Sequence, residues 1–243
     1  MVSFGMLAMF FFIALYMQNI LGYSPLEAGV RFLPSTLVII VAGPIAGRLA
    51  DRIGPRPLIV TGMLITAVSL FWQSRVDVDT GYGYLAPAFV LMGLGMGLTM
   101  SPMSMAGMNA VDRTKAGVAS GTLSMFRMVG GTFGVAALGA LVSSVGRHDL
   151  NGSLPEVPEH TRDALVVGLG SGAGLGDAPA QVVDAARAAF VDALGTGLTV
   201  SAIAVAVGAV LAWLLIAPGR PSAPVSVPVQ ASPEVAEPEL ATA

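Results

Sequence analysis

The sequence has 243 residues, of which 54% are hydrophobic and 11% are charged, and its formal net charge is −3. Soluble domains carry about 25% charged residues, so this composition excludes an ordinary soluble enzyme and a disordered chain. A pI near 5.3 excludes the basic surface with which nucleic-acid-binding proteins contact phosphates. The chain contains no cysteine, which excludes disulfides, thiolate nucleophiles and cysteine-based metal centres. The composition indicates an integral membrane protein.

Six long runs with very few charges predict membrane-spanning helices. Hydrocarbon offers the backbone no hydrogen-bond partners, so apolar runs of about 20 residues are expected to be helical. The sequence therefore predicts an all-α integral membrane bundle of six transmembrane helices over residues 1–218. The predicted spans are, approximately, 3–22, 30–48, 57–75, 84–106, 119–145 and 193–217.

Two segments outside these spans differ from the rest in composition. Residues 147–192 carry ten of the 27 charges and predict a long external loop. Its last part, 179–192, places Val182, Ala186 and Phe190 on one side of a helix, which predicts an amphipathic helix lying in the membrane interface. Residues 219–243 are rich in Pro, Ser, Val and Glu, and predict a disordered cytoplasmic tail.

The short loops differ in their content of Lys and Arg, which predicts the orientation of the chain. Cytoplasmic loops are enriched in these residues. The loops after the second and fourth predicted spans hold five of them, against two after the first and third: Arg48, Arg52, Arg56, Arg113 and Lys115, against Arg31 and Arg75. This asymmetry predicts a multi-pass protein of the plasma (inner) membrane with both termini in the cytoplasm.

The loop after the second span carries a recognisable motif, Gly47-Arg-Leu-Ala-Asp51-Arg52-Ile-Gly54-Pro-Arg56. It resembles the G-x-L-A-D-R-x-G-R-[RK] signature of the major facilitator superfamily, although Pro follows Gly54 where a basic residue is usual. The glycines suit a close helix approach and a tight turn. The carboxylate can pair with an arginine or a helix N-terminus as a gating latch, and the arginines can anchor the loop. A plain positive-inside loop explains the arginines, but not the spacing of Gly47, Asp51 and Gly54.

Three further stretches resemble one branch of that superfamily, the fourteen-helix drug:proton antiporters. Residues 16–34 are similar to the start of its second helical half, 120–136 to its penultimate helix, and 190–194 to the entry of its final helix. The resemblance covers residues 1–217 and implies the C-terminal half of a major facilitator fold.

The resemblance implies a proton-coupled multidrug efflux transporter working by alternating access, of which this chain is an incomplete part. It implies a small amphipathic or cationic substrate, protons, the lipid bilayer and a missing N-terminal half of six to eight helices as partners, with the proton-coupling carboxylates on that half. The alternative is a non-transporting membrane subunit or a degenerate transporter fragment.

Arg127 is the single charged residue in the interior of a predicted span, since Arg31, Arg48 and Arg75 lie at span ends. An ionisable residue at such a position is a candidate for function. Gating or lining of a cavity is therefore one interpretation. The other is that the long side chain extends to the membrane surface.

Glycines, methionines and two amide side chains are the remaining candidates for helix packing or cavity lining. The pairs Gly93/Gly97 and Gly130/Gly134 have the small-xxx-small spacing of closely packed helices, either static or moving against another bundle. Methionines on one face of the fourth span are candidates for cavity lining or for core packing. Two amides near the end of the first span could bind substrate or another helix. These residues are Met92, Met96, Met100, Gln18 and Asn19.

Catalytic and cofactor chemistry is not expected. Ser171 lies in a predicted loop and no histidine lies in a predicted span, which argues against a serine–histidine hydrolase. The glycine run 168–176 has no strand before it, as a dinucleotide-binding loop requires. We therefore expect no enzyme activity, no cofactor, no metal site and no nucleic-acid partner.

Overall fold

The computed structural model describes residues 2–109, 111–153 and 179–216, and these are almost entirely helical. Within this part of the chain, six helices or helix pairs are long and apolar enough to cross a membrane. The predicted all-α membrane bundle is confirmed. The predicted tail, most of the predicted loop 147–192 and the glycine run 168–176 lie outside the described residues.

The helices follow one another with short connections. Their bounds are Val2–Asn19 (α1), Pro25–Arg31 (α2), Leu33–Ile53 (α3), Pro55–Gln73 (α4), Tyr82–Asn109 (α5), Ala116–Ser153 (α6) and Ala180–Leu215 (α7), with a 3₁₀ turn at Arg113–Lys115. The short helix α2 and α3 together form the second span, 25–53.

Local sequence explains where several of these helices start and stop. The Ser24 hydroxyl accepts a hydrogen bond from the Glu27 amide, and the Glu27 carboxylate accepts one from the Ser24 amide, which caps α2 at its start. Gly54 has a φ of 86°, a conformation that ends α3. Pro55 follows as the first residue of α4, where its missing N–H costs nothing.

The packing places α5 between α3 and α4, while α7 contacts α4, α6 and α1. The core is apolar and includes fully buried side chains from α1, α4, α5 and α7, among them Tyr16, Leu70, Phe89 and Leu198. The spans containing α3 and α6 are the least buried of the six. Their outer sides present apolar residues such as Ile40 and Phe133, 63% and 68% exposed.

We call the end of the bundle where α3, α5 and α7 finish and α1, α4 and α6 begin the basic end. It carries Arg48, Arg52, Arg56 and Lys115. Arg31 and Arg75 lie at the opposite end. The basic residues of the short connections are therefore sorted by end, whereas Arg147 near the end of α6 and Arg187 near the start of α7 also lie towards the opposite end.

The start of α7 differs from the separate interfacial helix predicted over 179–192. One uninterrupted helix runs from Ala180 to Leu215, with no proline inside it to break the hydrogen-bond ladder. Ala186 and Phe190 belong to the buried core cluster and do not face a membrane surface. Likewise α6 continues to Ser153, so both helices run into the segment predicted as loop.

Candidate functional site at the basic end

The loop with the recognisable motif connects α3 to α4 at the basic end. Gly47 lies on α3 at a close contact with α5, since a Cβ atom there would lie 3.0 Å from the Ser101 hydroxyl. Gly54 forms the turn between the two helices. Gly47 therefore lies at a close helix contact and Gly54 at a turn, and the gating role of the motif stays a prediction.

The charged centre of the motif has no partner among the residues that the structure describes. The side chains of Asp51 and Arg52 are exposed on the last turn of α3. Neither makes a hydrogen bond or an ion pair with the residues that the structure describes. The predicted latch through Asp51 therefore requires a partner outside this part of the chain and stays a prediction.

Arg56 has a definite partner that the sequence pattern did not indicate. Its guanidinium lies 4.2 Å from the centroid of the Trp213 ring and donates a hydrogen bond through Nη2 to the Trp213 carbonyl. The carbonyls of the last helical turn have no partner within the helix, and a cation there also interacts favourably with the helix dipole. Arg56 therefore ties the first turn of α4 to the last turn of α7. The Nε atom of Arg56 is buried and finds no hydrogen-bond partner among the described residues.

An apolar cavity of about 1410 Å³ lies beside this contact. Its walls come from α3, α4, α5, α6 and α7, and Val2, Ser3 and Phe4 at the start of α1 form one boundary. Most lining side chains are aliphatic, aromatic or methionine, including Met63, Met103 and Leu211. The cavity is consequently a hydrophobic space at the basic end.

Arg127 lines the cavity and is half-buried. Its Nη2 donates a hydrogen bond of 2.9 Å to the Ser104 hydroxyl, which in turn donates to the Met100 carbonyl at 3.0 Å. The Nε atom of Arg127 is buried and has no hydrogen-bond partner within the described part of the chain. The side chain thus joins α6 to α5 at the cavity wall, an arrangement that free extension to the membrane surface would not produce.

The first predicted glycine pair lies against α3. A Cβ atom at Gly93 would clash with the Ser35 carbonyl, and one at Gly97 would lie 2.6 Å from the Cβ atom of Ala42. Both positions therefore need glycine for α3 and α5 to approach this closely.

The second predicted pair lies against α1, with unequal contacts. A Cβ atom at Gly134 would clash with the Phe4 carbonyl, whereas one at Gly130 would lie 3.9 Å from Ser3. Gly131, which was not predicted, would clash with Leu7. The close contact between α1 and α6 is therefore formed by Gly131 and Gly134, and Gly130 is in ordinary van der Waals contact.

Gly62 and Gly95 form a reciprocal contact between α4 and α5 that the sequence pattern alone did not indicate. A Cβ atom on Gly62 would lie 2.7 Å from the Gly95 carbonyl, and one on Gly95 would lie 2.7 Å from the Gly62 carbonyl. Each glycine also faces a threonine of the other helix, Thr99 and Thr66 respectively. Both helices share a Gly-xxx-Thr spacing, which was the available sequence signal for this contact. In each helix the threonine hydroxyl donates a hydrogen bond to the carbonyl of the glycine four residues earlier.

The methionine and amide candidates lie away from the cavity. Met92 and Met96 are buried in the core cluster, and Met100 packs against that cluster. None of the three lines the cavity described above. Gln18 and Asn19 are half-buried at the opposite end, where the Gln18 amide donates to the Ala14 carbonyl of its own helix.

At the opposite end of the bundle, Tyr16 connects α1 to the loop between α4 and α5. The buried Tyr16 hydroxyl is 2.7 Å from the Asp77 carbonyl and 2.9 Å from the Thr80 carbonyl in the loop between α4 and α5. The hydroxyl has a single proton, so it donates to one of the two carbonyls at a time. This contact closes the bundle at the end remote from the cavity.

Fold and site together define a multi-pass helical membrane protein with glycine-lined helix contacts and a motif loop between its second and third spans. The sequence model of the Major Facilitator Superfamily matches residues 1–147. The chain belongs to this superfamily, whose members are transporters and not enzymes.

Similar proteins are resistance and export proteins of bacteria. The chain is 34% identical to the tetracenomycin C resistance and export protein of Streptomyces glaucescens. The aligned region covers 96% of the chain and 45% of that protein. It is 35% identical to the puromycin resistance protein of Streptomyces alboniger, over 87% of the chain and 38% of that protein. The multidrug efflux pump LfrA of Mycolicibacterium smegmatis is 29% identical over 83% of the chain and 41% of the pump. The chain spans less than half the length of these relatives and is related to drug efflux transporters.

Proposed function

We propose that this chain is the C-terminal half of a proton-coupled multidrug efflux transporter of the fourteen-helix branch, and that it needs an N-terminal half to transport. The similarity to export proteins about twice its length supports this interpretation. So do residues 120–136, which resemble the penultimate helix of that branch and form the glycine-rich first half of α6.

One observation carries the proposal: the charged centre of the motif and two apolar faces have no partner within the described residues. The outer side of α3 presents Leu37, Ile40, Val41 and Ile45 and ends next to the unpaired Asp51. A second bundle against these faces would supply the partner of the carboxylate. Pairing in one conformer and separation in the other would make Asp51 a latch in alternating access.

The proposed substrate class is small amphipathic or cationic compounds exchanged for protons. Among the described residues, the fully buried polar side chains are hydroxyls and one amide: Ser35, Thr66, Ser69, Gln73, Thr99 and Ser201. The proton-coupling carboxylates are therefore proposed on the N-terminal half.

Efflux of ethidium from a pump-deficient bacterial strain tests the proposal. The chain is expressed alone and together with the N-terminal half of a full-length relative, and a protonophore is added in a third arm. We expect efflux in the paired arm alone, abolished by the protonophore and reduced by Asp51→Asn. Asp79→Asn is the matched control, since Asp79 is an exposed carboxylate at the opposite end. Absence of efflux in every arm would favour the non-transporting subunit or degenerate fragment.

The proposed orientation places the basic end in the cytoplasm. Because the chain has no native cysteine, single-cysteine variants report on one position each. Asp79→Cys should react with a membrane-impermeant maleimide in intact cells, and Arg52→Cys only after the membrane is permeabilised. The opposite labelling pattern would place the basic end outside the cell and the other end in the cytoplasm.

A further inference from the structure

Two tyrosine rings at the end opposite the basic end enclose the guanidinium of Arg31. Its Cζ atom lies 3.6 Å from the centroid of the Tyr23 ring and 5.6 Å from the centroid of the Tyr82 ring. Both distances fall within the roughly 6 Å over which an aromatic face attracts a cation. We call these two rings the tyrosine cage. All three side chains are half-buried, so the cage can be reached from outside the bundle.

The guanidinium is held chiefly by these rings and not by a carboxylate. Among the described residues its one hydrogen bond runs from Nη1 to the Glu27 carbonyl, at 3.3 Å. The carboxylate of Glu27, one turn earlier on α2, accepts hydrogen bonds from the amide and the hydroxyl of Ser24 at 2.8 and 3.0 Å. Aromatic cages of this kind are the means by which proteins recognise organic cations such as quaternary ammonium groups.

The walls of the cage are positioned by bonds that do not involve the guanidinium. The Tyr82 hydroxyl donates a hydrogen bond of 3.0 Å to the backbone carbonyl of Arg31. The Tyr23 amide donates to the Met17 carbonyl at 3.0 Å, after a turn at Gly22, whose φ is 70°. Each of these bonds uses a backbone atom of the segment that it fixes. The cage therefore keeps its shape when the side chain of Arg31 moves away.

Arg31 has an alternative partner on its own helix. Glu27 precedes it by four residues and is exposed, and a glutamate four residues before a basic residue is the favourable order for an ion pair on a helix. Both hydrogen bonds from Ser24 go to the Oε2 atom of Glu27. The Oε1 atom can therefore accept the guanidinium without loss of the cap at the start of α2.

The surroundings of the cage favour cations. The segments that form it, 20–31 and 74–82, contain three carboxylates and two arginines, one of which is Arg31 itself. Asp77 and Asp79 are exposed, and their charges act on the Tyr16 hydroxyl, as the Tyr23 hydroxyl also does. These carboxylates therefore lie on the same side of the bundle as the cage, where they raise the local concentration of cations.

We infer that the tyrosine cage is a binding site for a compact organic cation, such as an amidinium, guanidinium or methylammonium group, and that Arg31 occupies it when no ligand is bound. A ligand cation displaces the guanidinium, which then pairs with Glu27. The inference deepens the proposed function, because it assigns a site to the cationic compounds, and only their role as substrates rests on that function. Binding itself requires neither transport nor a second half.

Binding of diamidinophenylindole, a fluorescent compound with two amidinium groups, tests the inference by fluorescence anisotropy on the chain purified in dodecylmaltoside. Arg31→Gln removes the resident cation. Arg75→Gln is the matched control for the loss of one positive charge, since Arg75 is exposed at the same end and lies over a single ring, that of Phe71, at 4.8 Å.

We expect Arg31→Gln to bind the probe about tenfold more tightly than the unaltered chain, because a site that is occupied about nine-tenths of the time loses affinity by that factor. Arg75→Gln should bind it as the unaltered chain does. Equal affinity of the Arg31→Gln variant and the unaltered chain, or an equal gain in both arginine variants, would overturn the inference.

Two ring replacements in the Arg31→Gln chain locate the bound probe. Tyr23→Leu should weaken binding at least about tenfold through loss of the ring, and Tyr23→Phe, which keeps a ring, should retain it. Tyr84→Leu is the control, since Tyr84 is an exposed tyrosine at the start of α5 whose ring contacts Trp72. Equal losses in Tyr23→Leu and Tyr84→Leu would place the probe elsewhere and contradict the assignment.

Glu27→Gln tests the displacement with both rings in place, and glutamine can still cap α2. It should weaken binding of the probe more when Arg31 is present than in the Arg31→Gln chain, because the displaced guanidinium then has no carboxylate to pair with. The same effect in both backgrounds would contradict the displacement. Probe binding without ethidium efflux in any arm would contradict the proposed function alone, whereas efflux without probe binding by Arg31→Gln would contradict the cation site alone.

Discussion

Replacing Arg56 by Gln should destabilise the bundle far more than the same replacement at Arg52. Arg56 donates a hydrogen bond to the Trp213 carbonyl and stacks on the Trp213 ring. Hydrogen bonds of charged groups contribute about 1.5–3 kcal/mol, and a cation–π contact at an exposed site about 0.5–1 kcal/mol. Arg56 is half-buried and Trp213 is 51% exposed, so the lower values apply. The expected loss is about 2 kcal/mol, roughly a 30-fold change in the folding equilibrium.

The hydrogen bond and the ring contact of Arg56 can be measured separately, because the hydrogen bond is to the backbone carbonyl of Trp213 and the ring contact is to its side chain. Trp213→Leu removes the ring but keeps the carbonyl, so a double-mutant cycle of Arg56→Gln with Trp213→Leu measures the ring contact. We expect a coupling of about 0.5–1 kcal/mol. The remainder of the Arg56→Gln effect is then the bond to the end of α7.

Unfolding in mixtures of dodecylmaltoside and sodium dodecyl sulfate, followed by circular dichroism, gives these free energies. Arg52→Gln is the control, since Arg52 is an exposed arginine on the last turn of α3, four residues before Arg56, without a partner in the described chain. Surface changes of that kind stay within about 0.5 kcal/mol. Equal stability of the Arg56→Gln and Arg52→Gln variants would refute the assignment of Arg56 as the tie between α4 and α7.

Three further changes test other contacts. Gly95→Ala should cost about 1–3 kcal/mol in the same unfolding assay through overpacking, whereas Gly43→Ala, with open space around its Cβ position, should cost little; equal effects would contradict the reciprocal glycine contact. Arg127→Leu should impair efflux by the assembled transporter without lowering its amount in the membrane, and Ser104→Ala should give a smaller defect of the same kind; unchanged efflux in Arg127→Leu would remove its functional role. Tyr16→Phe should lower stability by about 0.5–1.5 kcal/mol through loss of its hydroxyl contact; an unchanged unfolding curve would show that this contact does not hold the loop.

The number and order of the spans could be predicted because hydrocarbon excludes charge, and charge is visible in the sequence. The continuity of α7 could not, since 179–192 has the amphipathic pattern of an interfacial helix. In the structure, core packing of Ala186 and Phe190 accounts for that pattern.

The site was predicted less completely, because its contacts join residues distant in sequence. Glycine spacing at Gly93 and Gly97 predicts a packed face but does not identify α3 as the partner. Arg56 and Trp213 are 157 positions apart, and no local pattern relates them. The methionine stripe fits core packing and cavity lining equally well, and the fold places Met92 and Met96 in the core.

The glycines on both sides of α5 have a mechanical consequence. Gly93 and Gly97 admit α3, and Gly95 admits α4, so sliding either neighbour along α5 would drive its atoms into the α5 backbone. The close backbone contacts on both sides of α5 therefore resist sliding of α3 or α4 along it. The contact of α5 with α6 is much smaller and includes the bond from Arg127 to Ser104. Any displacement of α6 away from α5 would break that hydrogen bond, which contributes about 1.5–3 kcal/mol.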